Sequence, residues 1–296
     1  MKKLIAFLFA IIIMANIQAY AAGIEVLPTF GAKTNAQDRV WVGTFQLVWN
    51  DFINKIVFNP IRFREGTPAF VYDLNKQEFT ADDISEASCY RYVGKVKKNT
   101  KKQIAKAIKR KFKETSDILD KLNLTPRNDM FLVYAMLKKD FEFVREFDKL
   151  EHSTFGKNEV AQYFGINKDS NSDLDKGVEV VFYNDSTDYA VKLLTKGKDE
   201  IFLYKNSSNK PFNYLYADML KKEKFYKGNK DFKKVDELKV PNIKFFEEKN
   251  FEELANKRIM GTNMVINQAI ETIKFDMNNI GVKLKSEAAM TVMTTA

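Results

Sequence analysis

The sequence has one cysteine and one histidine in 296 residues. A single cysteine excludes disulfides within the chain, so stability must come from packing. A Cys/His catalytic pair would have to be Cys89 with His152, and zinc binding finds no paired Cys/His spacing. A Gly-rich phosphate loop and a Gly-x-Ser-x-Gly elbow are also missing. Asp82-Asp83 and Asp169, Asp173 and Asp175 lack the Gly and terminal Glu of an ordered calcium loop. No internal repeat or low-complexity linker interrupts the chain. These absences argue against an enzyme and against a metal or cofactor.

The apolar run Leu4–Met14 is too short for a membrane span of about 20 residues. It follows Met1-Lys-Lys and precedes Ala19-Tyr-Ala21, the charged, apolar and small-residue order of a secretory signal peptide. We expect residues 1–22 to be removed near Ala21 or Ala22. The remainder, 23–296, is then exported to the periplasm or the medium as a soluble monomer. Hydrophobic residues make up 45% of the chain and include 25 Phe, enough for a packed core.

Losing Lys2 and Lys3 lowers the formal charge from +9 to +7. Much of the excess lies between Lys95 and Lys113. Ile104, Ile108 and Phe112 recur there at helical spacing, which predicts an amphipathic helix from about Thr100 to Phe112 with a basic wet face. Lys101, Lys102, Lys106, Lys109 and Arg110 on that face are candidate polyanion contacts.

Helical spacing is also predicted over Arg39–Ile53, followed by a short strand at Lys55–Phe58. Asp117–Leu122 predicts a helical turn, Pro211–Tyr226 a helix and Phe251–Leu254 a short helix. The apolar run Met130–Leu137 suits a buried strand. Gly177–Tyr183, Tyr189–Leu194 and Glu200–Tyr204 predict consecutive antiparallel strands, and Leu238–Phe246 another. Val265–Met277 leads into the last segment, Gly281–Ala296. Read with a period of two, that segment puts Ser286, Ala288, Met290 and Val292 on one face, suited to joining a sheet as an extra strand, the alternative being a disordered tail. Helices early and strands late predict an α+β fold.

Several segments, in order, resemble the serpin family. Phe45–Phe52 followed by Val57-Phe-Asn-Pro60 resembles the family's first helix and its Phe-Ser-Pro-like turn. Ile108–Leu119 is similar to its Ile-Asn-x-Trp-Val helix. Leu132-Val-Tyr-Ala135 and Phe143–Asp148 resemble the central strand Leu-Val-Asn-Ala and the Trp-x-x-x-Phe-Asp after it. Val240–Phe245 resembles Val-Pro-Lys-Phe, and Ser286–Thr291 resembles the hinge before the reactive loop.

The resemblance implies a serpin-like α+β fold, with helices mainly N-terminal packed on large, mostly antiparallel sheets. It implies Gly281, Ser286, Glu287, Ala288, Ala289, Met290 and Thr291 as the reactive-loop hinge. A target protease is the implied partner, with no nucleic acid, no cofactor and no stable membrane span. In the family, an exposed loop is cleaved and then inserts into a sheet as a new strand. The non-inhibitory alternative is a binding or envelope protein of the same fold. Compared with the family pattern, residues 23–296 are expected to lack the distal reactive loop and the last strands. Val282–Lys285 separates Gly281 from Ser286, Tyr134 stands where the family has Asn, and Phe143 where it has Trp.

Overall fold

The computed structural model describes residues 11–13, 23–127, 129–155, 159–171, 173–233 and 235–295. Of the predicted signal segment, only β1 (Ile11–Ile13) is described; the rest of 1–22 lies outside the described residues. β1 pairs antiparallel with β3 (Arg39–Trp41), which pairs parallel with β2 (Glu25–Val26).

Sheet pairing therefore takes Arg39–Trp41 out of the helix predicted from Arg39. The helix, α1 (Thr44–Phe52), begins after Gly43. A Cβ at Gly43 would lie 2.1 Å from the Phe79 ring, so this approach requires glycine. Every residue of α1 is buried. The strand predicted at Lys55–Phe58 is instead a π-helical continuation, Ile53–Val57, ended by Phe58 at φ 61°. Lys55 reaches back one turn to Asp51 at 2.9 Å, a contact that only the helical path permits.

In the interval of weak pattern, Val71 and Leu74 anchor a short α2 (Ala69–Leu74), and β4 (Cys89–Lys95) follows. The basic helix α3 (Thr100–Phe112) has the predicted span, with Ile104, Ile108 and Phe112 buried and Lys113 ending it at φ 60°. Residues 117–122 form turns rather than a helix, although Ile118, Leu119 and Leu122 are buried.

β5 (Met130–Glu142) extends the predicted apolar strand. β6 (Asp148–Phe155) and β7 (Glu159–Ile166) follow as a hairpin that the polar run Asp148–Ser153 had hidden. β8 (Val178–Asp185), β9 (Asp188–Leu193) and β10 (Ile201–Lys205) form the expected antiparallel meander. α4 (Phe212–Phe225) packs Phe212, Leu215 and Met219 inward. The strand predicted over Leu238–Phe246 is two strands in different sheets. β11 (Leu238–Pro241) pairs with β7, and β12 (Ile243–Asn250) pairs with β13 (Met264–Met277). Phe251–Leu254 is a turn, closed by Leu254 N–H donating to the Phe251 carbonyl. The last strand, β14 (Gly281–Thr294), returns antiparallel to β13.

The largest sheet has five strands in the order β12-β13-β14-β5-β4, each antiparallel to its neighbours. α1 packs on one face, with the larger apolar core between. α3 and residues 118–122 cover the other through a second cluster that includes Ile104, Ile108, Leu119, Tyr134, Ile270 and Ala289. No described helix is long and apolar enough to cross a membrane.

Candidate functional site at the central strand

β14 occupies the middle of the five-stranded sheet. It pairs with β5 from Gly281 to Met293 and with β13 from Val282 to Thr294. A strand so placed has no free edge, and its backbone groups are satisfied on both sides. The turn into it is held by the segment after β5. Phe143 N–H donates to the Ile280 carbonyl and Phe147 N–H to the Asn279 carbonyl, each at 3.0 Å. Phe143 and Phe147 are packed edge to face at 5.0 Å. At the start of β14, a Cβ on Gly281 would lie 1.9 Å from the Phe141 carbonyl oxygen. Any side chain there would push the two strands apart.

The two faces of β14 solve different problems. Val282, Leu284, Ala288, Met290 and Val292 enter the core against α1. Ser286 shares that face, fully buried, and accepts a hydrogen bond from the Thr44 hydroxyl at 2.7 Å. It donates in turn to Glu271 on β13 at 3.3 Å. Period-two reading placed these residues on one face, and that face is inward. It did not foresee that the opposite face is equally buried, because α3 and residues 116–122 cover it. Glu287, Ala289 and Thr291 all have essentially no exposure.

Glu287 is a carboxylate without solvent, so it needs donors. Tyr134 Oη donates at 2.6 Å, Ser116 Oγ at 2.5 Å and the Asp117 N–H at 2.7 Å. Lys285 lies 3.2 Å away and also pairs with Asp117 at 2.8 Å while donating to the Thr115 carbonyl at 2.7 Å. Burial, with the Glu287 charge beside it, pushes the Tyr134 phenol well above its ordinary value. Tyr134 and Lys285, which depart from the family pattern, are thus both partners of Glu287.

Glu271 is the residue that sequence reading missed. It is completely buried, and burial drives its carboxyl well above the ordinary range despite the opposing Phe45 N–H and Ser286 hydroxyl. Its Oε2 has no hydrogen-bond partner among the described residues. The signal was present as one acid among the inward residues Ala269, Ile273, Phe275 and Met277 of an alternating strand. The bulge between Ile266 and Gln268 obscured that phase.

All seven predicted hinge residues lie in β14, Gly281 at its start and the other six contiguous in its middle. The candidate polyanion residues Lys101, Lys102, Lys106, Lys109 and Arg110 are exposed on the outer side of α3, away from that strand. The two sets meet only through the α3 exit, where residues 115–117 bind Lys285 and Glu287. Cys89 is buried on β4 and His152 exposed on β6, so they form no pair. Asp83 caps a short 3-10 turn with Thr80, and Asp173 pairs with Lys176. Among the described residues no group of three His, Cys, Asp or Glu is placed to hold a metal ion.

No protein-family model matches the sequence, and no curated protein does. The folded chain is similar to solved serpin structures. It superposes on the viral serpin CrmA with a TM-score of 0.52 over 86% of this chain and 93% of CrmA, at 8% identity. Emu (Dromaius novaehollandiae) ovalbumin gives 0.44 over 67% of this chain and 55% of its own, at 9% identity. Reactive-loop-cleaved human thyroxine-binding globulin gives 0.43 over 66% and 61%, at 10% identity. The chain therefore spans less than two thirds of the last two proteins. The order of elements, the five-stranded sheet and the superposition on CrmA agree: this chain has a divergent serpin-like fold.

Proposed function

We propose that the chain is an exported serpin-like protein that, in complete form, inhibits a serine or cysteine endopeptidase by inserting its reactive loop. The observation that supports this is β14, the hinge-like segment, seated as a central strand with both faces provided for. Insertion demands residues small enough for a packed sheet, and Ser286 and Ala288 on the inward face and Ala289 on the other meet that demand. The polar exceptions, Lys285 and Glu287, find dedicated partners in the inserted position. Incubation with a panel of serine and cysteine endopeptidases tests the reading. A complex that survives denaturing electrophoresis is expected from the full-length protein; simple cleavage by every member, with no complex, leaves a non-inhibitory binding protein of the same fold.

A second reading concerns α3, which we propose binds a polyanion. Residues 87–113 hold eleven cations and no acid, so from a chain net of +9 the remaining residues stand at −2. Lys102, Lys106, Lys109 and Lys113 recur at three and four residues and line one outer stripe of the helix. Lys101 pairs with Asp120, whereas these four have no carboxylate partner among the described residues. Retention on dextran sulfate that falls with salt, and that is lost in Lys102→Glu/Lys106→Glu/Lys109→Glu but kept in a charge-matched control at exposed lysines, Lys168→Glu/Lys198→Glu/Lys227→Glu, is expected. Equal loss in the control would reduce the effect to net charge.

A further inference from the structure

Three elements converge on one point beneath the large sheet. α1 begins there after Gly43, without a side-chain cap or an acidic residue in its first turn. Its first N–H groups are buried and need acceptors. Glu271 supplies one from β13 and faces the Phe45 N–H. β14 supplies Ser286, whose hydroxyl links Thr44 to Glu271 in a short relay. The strand with the moving role in the proposed function therefore closes the box around a wholly buried acid.

Thr44, Glu271 and Ser286 are all fully buried while β14 is seated. Ala288 stands opposite Glu271 in register on one side and Lys249 of β12 on the other. Except for Lys249, the charges on the surrounding elements are committed elsewhere or face away. On α1, Asp51 is held by Lys55 and Arg91. On β12, Glu247 accepts from the Ile24 N–H, and half-buried Lys249 makes no ion pair with Glu271. On β13, Asp276 pairs with Lys244, and Lys274, like Asp276, lies on the other face. On β14, Lys283, Lys285 and Glu287 alternate to the opposite face. The segment after β12 carries Glu252, exposed, and Glu253, also exposed. A charge on Glu271 would thus be buried with one oxygen unpaired. Withdrawal of β14 would open the sheet between β13 and β5, remove Ser286 and admit water.

We propose that the Thr44–Ser286–Glu271 cluster is a proton-operated latch, which takes up one proton as β14 enters the sheet and releases it to solvent as β14 leaves. The proposal rests on the reading of β14 as an inserting strand and adds its regulation. Glu271 is neutral in the seated state and ionises at ordinary carboxylate pH in the opened one. A group whose proton is held more tightly in the seated state stabilises that state fully below the opened-state value, near 4.5. That contribution is lost as pH rises toward the higher seated-state value. Across this window the seated-to-opened ratio falls by up to about tenfold per pH unit.

Hydrogen exchange of the backbone amides of residues 284–292, normalised for intrinsic rate and followed from about pH 5 to about pH 8, tests it. In the wild-type chain the opening of β14 is expected to rise by up to about tenfold per unit. In Glu271→Gln, which keeps the shape but never ionises, it is expected to stay level. Equal slopes in the two proteins overturn the latch while leaving insertion intact. Unprotected amides at every pH in both proteins overturn the insertion reading itself, and the latch with it. Should Glu271→Gln not fold, Ser286→Ala removes a donor that favours the charged form. It should move the pH at which opening levels off upward, and an unmoved profile would overturn the latch.

Discussion

The Tyr134 hydroxyl on β5 donates to the Glu287 carboxylate on β14 at 2.6 Å, although the two residues are 153 positions apart in the chain. Together with Ser116 and the Asp117 N–H it converts a carboxylate that would oppose burial into one that fixes the register of the central strand. Tyr134→Phe keeps the ring and removes the donor. It should cost about 1.5–3 kcal/mol of unfolding free energy, measured by urea denaturation. An unchanged midpoint would mean that Ser116 and Asp117 suffice.

Ala288 is fully buried between Ala135 and Glu271, with α1 beneath. Ala288→Leu forces extra methylenes into a filled layer and is expected to destabilise by about 1–3 kcal/mol. Lys283→Leu, which places the same side chain at an exposed position of the strand, should leave the denaturation midpoint nearly unchanged, so the pair separates packing from strand propensity.

At Gly281 there is no room for a Cβ, which would lie 1.9 Å from the Phe141 carbonyl oxygen. Gly281→Val places carbon where the Phe141 carbonyl oxygen stands, and we expect a loss of about 2 kcal/mol or more together with faster amide exchange at the start of β14. Wild-type exchange in this variant would show that β14 can begin later without penalty.

Ile108 is the central apolar contact of α3 with the sheet. Ile108→Ala should cost about 2–5 kcal/mol, read by thermal and chemical denaturation. Because residues 115–117 follow directly and bind Lys285 and Glu287, exchange of β14 should rise in parallel. A stability loss without that rise would uncouple the helix from the strand.

Burial pushes the Cys89 thiol up to about 11, against the modest pull of Arg91 and Lys111. Its thiolate is therefore scarce at neutral pH, and the native chain should react with a disulfide reagent on the order of a hundredfold more slowly than the urea-unfolded chain. Comparable rates would place Cys89 at the surface.

Much of the fold was legible where one local rule dominated. Ile104, Ile108 and Phe112 set the span of α3, and the continuous run from Met130 marked β5 as buried on both faces. Where local rules competed, tertiary pairing won. Arg39–Trp41 fits a helix by spacing but is held as a strand between β1 and β2. Leu238–Phe246 is one strand by pattern but two by partner, split where Asn242 N–H turns to the Gln162 carbonyl. The hairpin of β6 and β7 was illegible because its hydrogen bonds, not its polar side chains, make it a strand.

By itself the sequence determined the small and alternating character of residues 286–292, since side-chain size and period are local properties. It equally determined the concentration of positive charge along α3. Only the tertiary structure decided that both faces of β14 are buried, that Tyr134 and Ser116 answer Glu287, and that Glu271 is sealed beneath Ser286. Those outcomes depend on which elements cover which side of the sheet. Such coverage rests on contacts such as Tyr134–Glu287 and Thr44–Ser286, 153 and 242 positions apart, and no periodicity within one segment encodes it.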